Sequence, residues 1–214
     1  MKIAIVSESP ADEAAIRILV DAVLGISTER VELAGFRPRG WTDVLRVLRS
    51  ITKHLHYKTD ADGLVVVLDS DRSPEHLPEH DEIEGGDATC RLCQMRRKVV
   101  ETLSHLTEIP GRRSLRVAFG LAMPAVEAWY LCGVSPKVSE ASWINAKRAK
   151  KQPYNTAQLK KEVYGTDRPP LHVETQRAEE AARRIVDSEQ LELLEKTFAN
   201  GFGTMAASLR RWLD

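Results

Sequence analysis

Leu64-Val65-Val66-Val67-Leu68-Asp69-Ser70-Asp71 is the stretch that decides the fold. Five consecutive branched aliphatics predict a strand buried on both faces, because successive side chains of a strand point to opposite sides of the sheet. Strands of that kind belong to parallel sheets, whose neighbours are joined by crossover helices. The run ends in Asp-x-Asp. If the strand continues through it, Asp69 and Asp71 face one side about 7 Å apart. That arrangement suits a hard divalent ion, Mg²⁺ or Mn²⁺, held by one or two carboxylates while water and substrate complete its shell. Two acidic loop residues after a strand explain the same letters more plainly.

Working outward, Lys2 to Val6 predicts a first strand, followed by Ser7-Glu8-Ser9-Pro10-Ala11-Asp12-Glu13. Ser9 fits a helix cap with Pro10 at the first helical position, and Ala15, Ile16, Leu19, Val20 and Val23 form the apolar stripe. Glu8 then stands at a strand-to-helix turn, on the carboxyl edge of a parallel sheet where ligands bind, together with Asp69 and Asp71. Asp12 is explained by capping and the helix dipole alone, or assists the same site. Val31 to Phe36 predicts strand two, Trp41 to His54 helix two, Leu115 to Phe119 strand four, and Gln94 to Leu106 a helix between. The alternation predicts an α/β, Rossmann-like fold with a mainly parallel sheet flanked by helices. Beyond a loop near Gly133 to Pro136 the chain predicts helices at Thr156 to Tyr164, Thr175 to Asp187, Glu189 to Thr197 and Gly203 to Leu213.

A glutamate after the first strand, an aspartate four residues later and an Asp-x-Asp after a later strand resemble the toprim domain of topoisomerases, primases and OLD-type nucleases. Ala122-Met123-Pro124-Ala125-Val126-Glu127-Ala128-Trp129 is similar to the Pro-x-x-Glu-x-Trp helix of RloB-like toprim relatives, which often accompany ATPases in phage-defence loci. The closing run from Phe198 to Trp212 is similar to theirs as well. The resemblance implies a toprim-like domain over 1–132 and a helical extension over 133–214 packed on the same domain. It also implies a metal-dependent nuclease site and an ATPase partner. Ser9 departs from the pattern, which often has glycine directly after the glutamate.

Glu127 is the further acid of that site. On a helix it is ordinarily a solvated residue, but Ala122, Met123, Ala125, Val126, Ala128, Trp129 and Leu131 surround it with apolar positions, so it needs a partner or a metal. Glu8, Asp69, Asp71 and Glu127 are therefore the expected catalytic residues, with Asp12 as an additional metal ligand. No tyrosine among Tyr57, Tyr130, Tyr154 and Tyr164 is marked as a covalent nucleophile.

Residues 72–93 form an insert rich in Pro, Gly, Asp and Glu, and within it stand His76, His80, Cys90 and Cys93. His-x-x-x-His and Cys-x-x-Cys each let two ligands reach one ion, and together they supply the four ligands of a closed structural Zn²⁺ site. A packed or redox cysteine pair beside solvated histidines is the alternative.

The 214 residues carry 31 basic and 31 acidic side chains, so affinity for nucleic acid would have to come from local patches. Lys147, Arg148, Lys150 and Lys151, between Trp143 and Tyr154 and followed by Lys160 and Lys161, form the best candidate, with an aromatic available to stack a base. Arg91, Arg96, Arg97 and Lys98 form a second basic run. Either patch is equally explained as a solvated helix face. Three cysteines, a chain that starts on a core strand and the lack of a long apolar run predict a cytoplasmic protein with no membrane segment. The expected activity is Mg²⁺- or Mn²⁺-dependent phosphodiester hydrolysis of DNA or RNA. A toprim-like regulatory module without catalysis, and a phosphoryl-transfer enzyme acting on nucleotides or small phosphoesters, are the alternatives; the sequence carries no phosphate-binding loop for ATP.

Overall fold

A computed structural model describes residues 1–214 except 34, 37–39, 72 and 152–153. Position 34 of the expected second strand, position 72 of the insert and positions 152 and 153 of the basic stretch thus lie outside the described residues. In chain order the described elements are strand β1 (Lys2–Val6), helix α1 (Pro10–Leu24), strand β2 (Glu29–Arg30), helix α2 (Gly40–Lys58), strand β3 (Gly63–Asp69), helices α3 (Glu79–Glu82) and α4 (Arg91–Ser104), and strand β4 (Arg116–Ala122). Helices α5 (Glu127–Tyr130), α6 (Glu140–Arg148), α7 (Thr156–Tyr164), α8 (Leu171–Asp187) and α9 (Leu191–Thr197) follow, then a π-helical turn (Ala199–Gly203) and α10 (Thr204–Arg210).

The strands pair in parallel in the order β2-β1-β3-β4, so the protein is an α/β fold of the Rossmann-like kind with a helical C-terminal part. Leu64 to Leu68 are all buried, which requires both faces of β3 to be covered. Two packed groups of helices cover them: α1 with α8 and α10, and α2 with α4. No helix among the described residues is long and apolar enough to cross a membrane.

The strand order fixes where a ligand would go. From β1 the chain moves outward to β2 and then crosses to β3 on the other side of β1, so the winding reverses between β1 and β3. In open parallel sheets the crevice lies at the carboxyl ends of the two strands flanking such a reversal. Glu8 follows β1 and Asp69 ends β3.

Strand two is not where the apolar letters placed it. Glu29 and Arg30 pair with Lys2 and Ile3, and Val31 N–H still donates to Ile3 O at 3.1 Å. Beyond it Phe36 N–H bonds back to Leu33 O around Gly35 at φ +83, so Val31, Leu33 and Phe36 pack on the core from an irregular segment. An edge strand needs only one neighbour and tolerates charged residues, so hydrophobicity is a poor guide to it. Helix α8 begins at Leu171, a turn before the expected Thr175, and the expected last helix runs from Thr204 to Arg210 directly after the π turn.

Candidate functional site

The Ser9 hydroxyl accepts from Asp12 N–H at 3.2 Å, starting α1 as expected and turning Asp12 inward. Asp69 Oδ1 accepts from Val126 N–H at 2.9 Å, which ties the end of β3 to the segment entering α5. Asp69 N–H in turn donates to Glu8 Oε1 at 3.2 Å. Asp12, Asp69 and Glu127 thereby form an inner acidic cluster, and Glu8 stands at its rim.

Burial sets the electrostatics of this cluster. It raises the Asp12 carboxyl to about 8, with the Glu127 carboxylate as the next cause. Asp69 is pushed well above the usual carboxylate range by burial, then by Glu127, Asp12 and Glu8. Glu127, 2% exposed, is also raised by burial, against which the Lys160 ammonium acts from 3.7 Å. Glu8 is raised by burial, and the backbone N–H groups of Asp69 and Trp41 oppose that shift. Glu127 Oε2 and the Tyr130 and Tyr164 hydroxyls are buried without a hydrogen bond of ordinary geometry, and the Tyr164 hydroxyl is a nearby donor that acts on the Glu127 carboxyl.

Asp71 does not share a side with Asp69. The strand stops at Asp69, Asp71 takes a left-handed backbone (φ +47), and its N–H donates to Pro124 O at 2.9 Å. Two-residue alternation holds only while the chain stays extended, so the expected pairing fails at this turn. The Asp71 side chain is 46% exposed and binds Arg91 Nη1 at 2.9 Å. The same Nη1 donates to Asp69 O at 2.6 Å and lies 3.9 Å from Glu8 Oε1. Arg91, Asp71, Pro124, Trp143 and Thr156 line an opening of about 590 Å³ beside the acids. Asp12 moves the other way, from auxiliary to inner member.

The insert brings its four residues together. His76, His80, Cys90 and Cys93 are all buried, and one donor atom from each lies within 4.8 Å of the others. Cys93 Sγ is 3.4 Å from His76 Nδ1 and 3.9 Å from His80 Nδ1, and Cys90 Sγ is 3.7 Å from His76 Nδ1. A tetrahedral ion with metal–sulfur bonds near 2.3 Å and metal–nitrogen bonds near 2.0–2.1 Å separates its donors by about 3.4–3.8 Å. This cluster can therefore hold a metal such as zinc. Behind it, His76 Nε2 faces Asp81 Oδ1 at 3.3 Å, and Arg96 fixes that carboxylate at 2.9 Å, an outer partner of the kind that orients ligating histidines. Among the described residues no other set of three or more His, Cys, Asp or Glu donors converges this tightly, the carboxylates of the acidic cluster included.

The basic stretch sits beside the insert. Lys147 Nζ donates to Ser73 O at 2.9 Å and Arg148 pairs with Glu75 at 3.1 Å, while Lys150 and Lys151 are exposed at the end of α6. Trp143 and Tyr154 are buried against each other, ring centres 5.4 Å apart, with the Tyr154 hydroxyl donating to Ser139 O. Neither ring is free to stack a base. Lys160, read with the basic stretch, lies on Glu127 instead. The roles of Lys160, Tyr130 and Tyr164 had no local signal, because each arises from α7 folding back over α5.

Comparison with protein-family models, curated proteins and solved structures found no match.

Proposed function

We propose that the protein is a divalent-metal-dependent phosphodiesterase acting on DNA or RNA. The observation that carries this reading is the buried Asp12–Asp69–Glu127 cluster at the β1/β3 reversal, in which Glu127 Oε2 makes no hydrogen bond of ordinary geometry. Glu8, Asp12, Asp69, Asp71 and Glu127 face two nearby cations, Arg91 and Lys160. Carboxylates crowded in a poorly solvated place repel one another and stay protonated unless a cation enters, and an all-oxygen donor set suits Mg²⁺ or Mn²⁺. An ion held by one or two of these carboxylates would keep room for water and phosphate oxygens in its shell. A bound ion would act there as a Lewis acid on the phosphoryl oxygen.

The remaining steps fall to the chain's own side chains. Asp12, Asp69 and Glu127 hold and orient, and Lys160 neutralises the inner acids. Glu8, at the rim and raised by burial, is positioned to take the proton of the attacking water. Arg91, Lys150 and Lys151 offer positive charge on the approach. Zinc in the His76–His80–Cys90–Cys93 cluster would organise the insert, whose residues 72–89 have almost no apolar side chains to fold around.

The test is cleavage of single- and double-stranded DNA and of RNA with Mg²⁺ or Mn²⁺, with and without an ATPase partner and ATP. Metal-dependent cleavage that disappears in Asp69→Asn supports the reading. Cleavage that survives in Asp69→Asn, or no cleavage under any condition, overturns it.

A further inference from the structure

The insert and the acidic site meet at one residue. Cys90 caps α4, Arg91 is its first helical residue and Cys93 its third, so two of the four His/Cys donors bracket Arg91 in the chain. Arg91 N–H is also fixed, donating to the Ser73 hydroxyl at 3.1 Å. Its side chain runs from this clamp across the Trp41 ring, with the guanidinium 5.1 Å from the ring centre, to the Asp69 carbonyl and the Asp71 carboxylate.

Helix stability does not explain a cation there. The first turn of α4 is the positive end of the helix dipole and holds no acidic residue to offset it. The guanidinium is 16% exposed on its side chain and faces the 590 Å³ opening. Both of its hydrogen bonds to this site use Nη1, so Nη2 and Nε have no protein acceptor among the described residues. A planar fork with a free edge, aimed into an opening beside carboxylates, matches a phosphate's paired oxygens.

We propose that the His/Cys metal centre sets the position of Arg91, and that Arg91 is the side chain that holds the substrate's phosphate at the edge of the acidic site. Asp71 is its resting partner, and a phosphate displaces that contact. This deepens the phosphodiesterase reading and rests on it for the identity of the anion. The metal at the His/Cys centre never touches substrate; it acts through the four-residue clamp.

The experiment uses the full chain with two readouts. The first is the tryptophan emission contributed by Trp41, obtained as the difference between the protein and its Trp41→Phe variant. Removing the metal with a chelator should shift this contribution, Arg91→Ala should shift it by a similar amount, and chelation should have no further effect in Arg91→Ala. The second is binding of a fluorescent DNA oligomer in Ca²⁺, which is restored once the chelator and the stripped metal have been dialysed away. Arg91→Ala and chelation should each weaken binding about tenfold, their combination no more than either alone, and Arg91→Lys should recover only part. Circular dichroism checks that the chelated protein keeps its helices. If it unfolds, the comparison moves to Ser73→Ala, which loosens the Arg91 backbone with the metal in place and should give both effects in smaller measure.

Trp41 emission that ignores the metal, or additive losses in binding, would overturn the positioning role. Binding unchanged in Arg91→Ala would overturn the phosphate role. Failure of the native protein to bind DNA or RNA at all counts against the phosphodiesterase reading and the phosphate role, while the Trp41 signal still decides the positioning role.

Discussion

The Asp69 backbone N–H donates to Glu8 Oε1 at 3.2 Å, joining the ends of β1 and β3 where the winding of the sheet reverses. The bond spans 61 residues of sequence and ties the two strand ends together directly. Everything at the acidic site is arranged around it: Val126 on the Asp69 carboxylate, Arg91 on the Asp69 carbonyl, and Trp41 behind Glu8.

Asp69→Asn and Glu127→Gln should fold and raise the thermal midpoint of the metal-free protein by a few degrees near neutral pH, because each replaces a carboxyl whose ionised form burial disfavours with a neutral amide. Both should lose Mn²⁺ binding by calorimetry and at least about 100-fold of any cleavage rate. Asp71→Asn should cost far less metal affinity, since its carboxylate serves Arg91. Equal losses in all three variants would show that Asp71 belongs with the inner acids.

Acid should stabilise the metal-free protein. The folded Asp12 carboxyl sits near 8 against an ordinary value of 3.8, so the folded state binds the proton that the unfolded chain has released. Stability should therefore fall as pH rises from about 4 to 8, by a few kcal/mol at most, and level off above. Asp69 and Glu127 shift in the same direction and add to the slope. Urea midpoints at several pH values measure it. Mn²⁺ should flatten the curve, and Asp12→Asn should make it shallower.

Protein purified under reducing conditions should carry about one zinc per chain. Cys93→Ser should abolish it. Gly86→Ala should weaken it roughly tenfold or more, because Gly86 sits at φ +71 and a Cβ there would come 2.8 Å from the Cys93 Cβ. Metal analysis by mass spectrometry checks all three, and zinc retained in Cys93→Ser would move the site elsewhere.

Replacing Lys150 and Lys151 with Ala should lower nucleic-acid affinity severalfold and reduce the slope of its logarithm against log salt by about 1 to 2. Replacing Lys147 and Arg148 should do something different. These two hold the insert at Ser73 and Glu75, so their loss should increase proteolytic cleavage within residues 73–89. Identical salt slopes for the two double variants would contradict this division.

Much of the fold was legible because parallel strands and crossover helices write strong local patterns. The aliphatic run of β3, the Ser9-Pro10 start of α1 and the helical face of α2 all stand where periodicity puts them. The edge strand was not legible, since Glu29 and Arg30 make only backbone pairings that any side chain permits. The His76–His80–Cys90–Cys93 cluster was readable from its spacing, because donors that can reach one ion recur at such short separations. Asp71 was misplaced because the left-handed turn after Asp69 carries no glycine to announce it. Lys160 could not be assigned to Glu127 from sequence, as the pair depends on how α7 lies over α5.

The C-terminal elements close the core that the first helix opens. Trp212 lies against Gly63 at the start of β3, where a Cβ would come within 2.4 Å of the indole ring, and Gly201 brings the π turn onto the Leu121 carbonyl in the same way. Helix α8 packs along α1, and α10 covers β4. During synthesis, then, β1, β3 and β4 can pair while one side of the sheet is covered by α1 alone, and that side is completed only when α8 and α10 emerge from the ribosome. Until then part of the aliphatic β surface stays open to other chains, the condition in which a partly folded chain is prone to aggregate. Slowing translation of the last third should favour aggregation over folding, although of the acidic site only Lys160 and Tyr164 are made there.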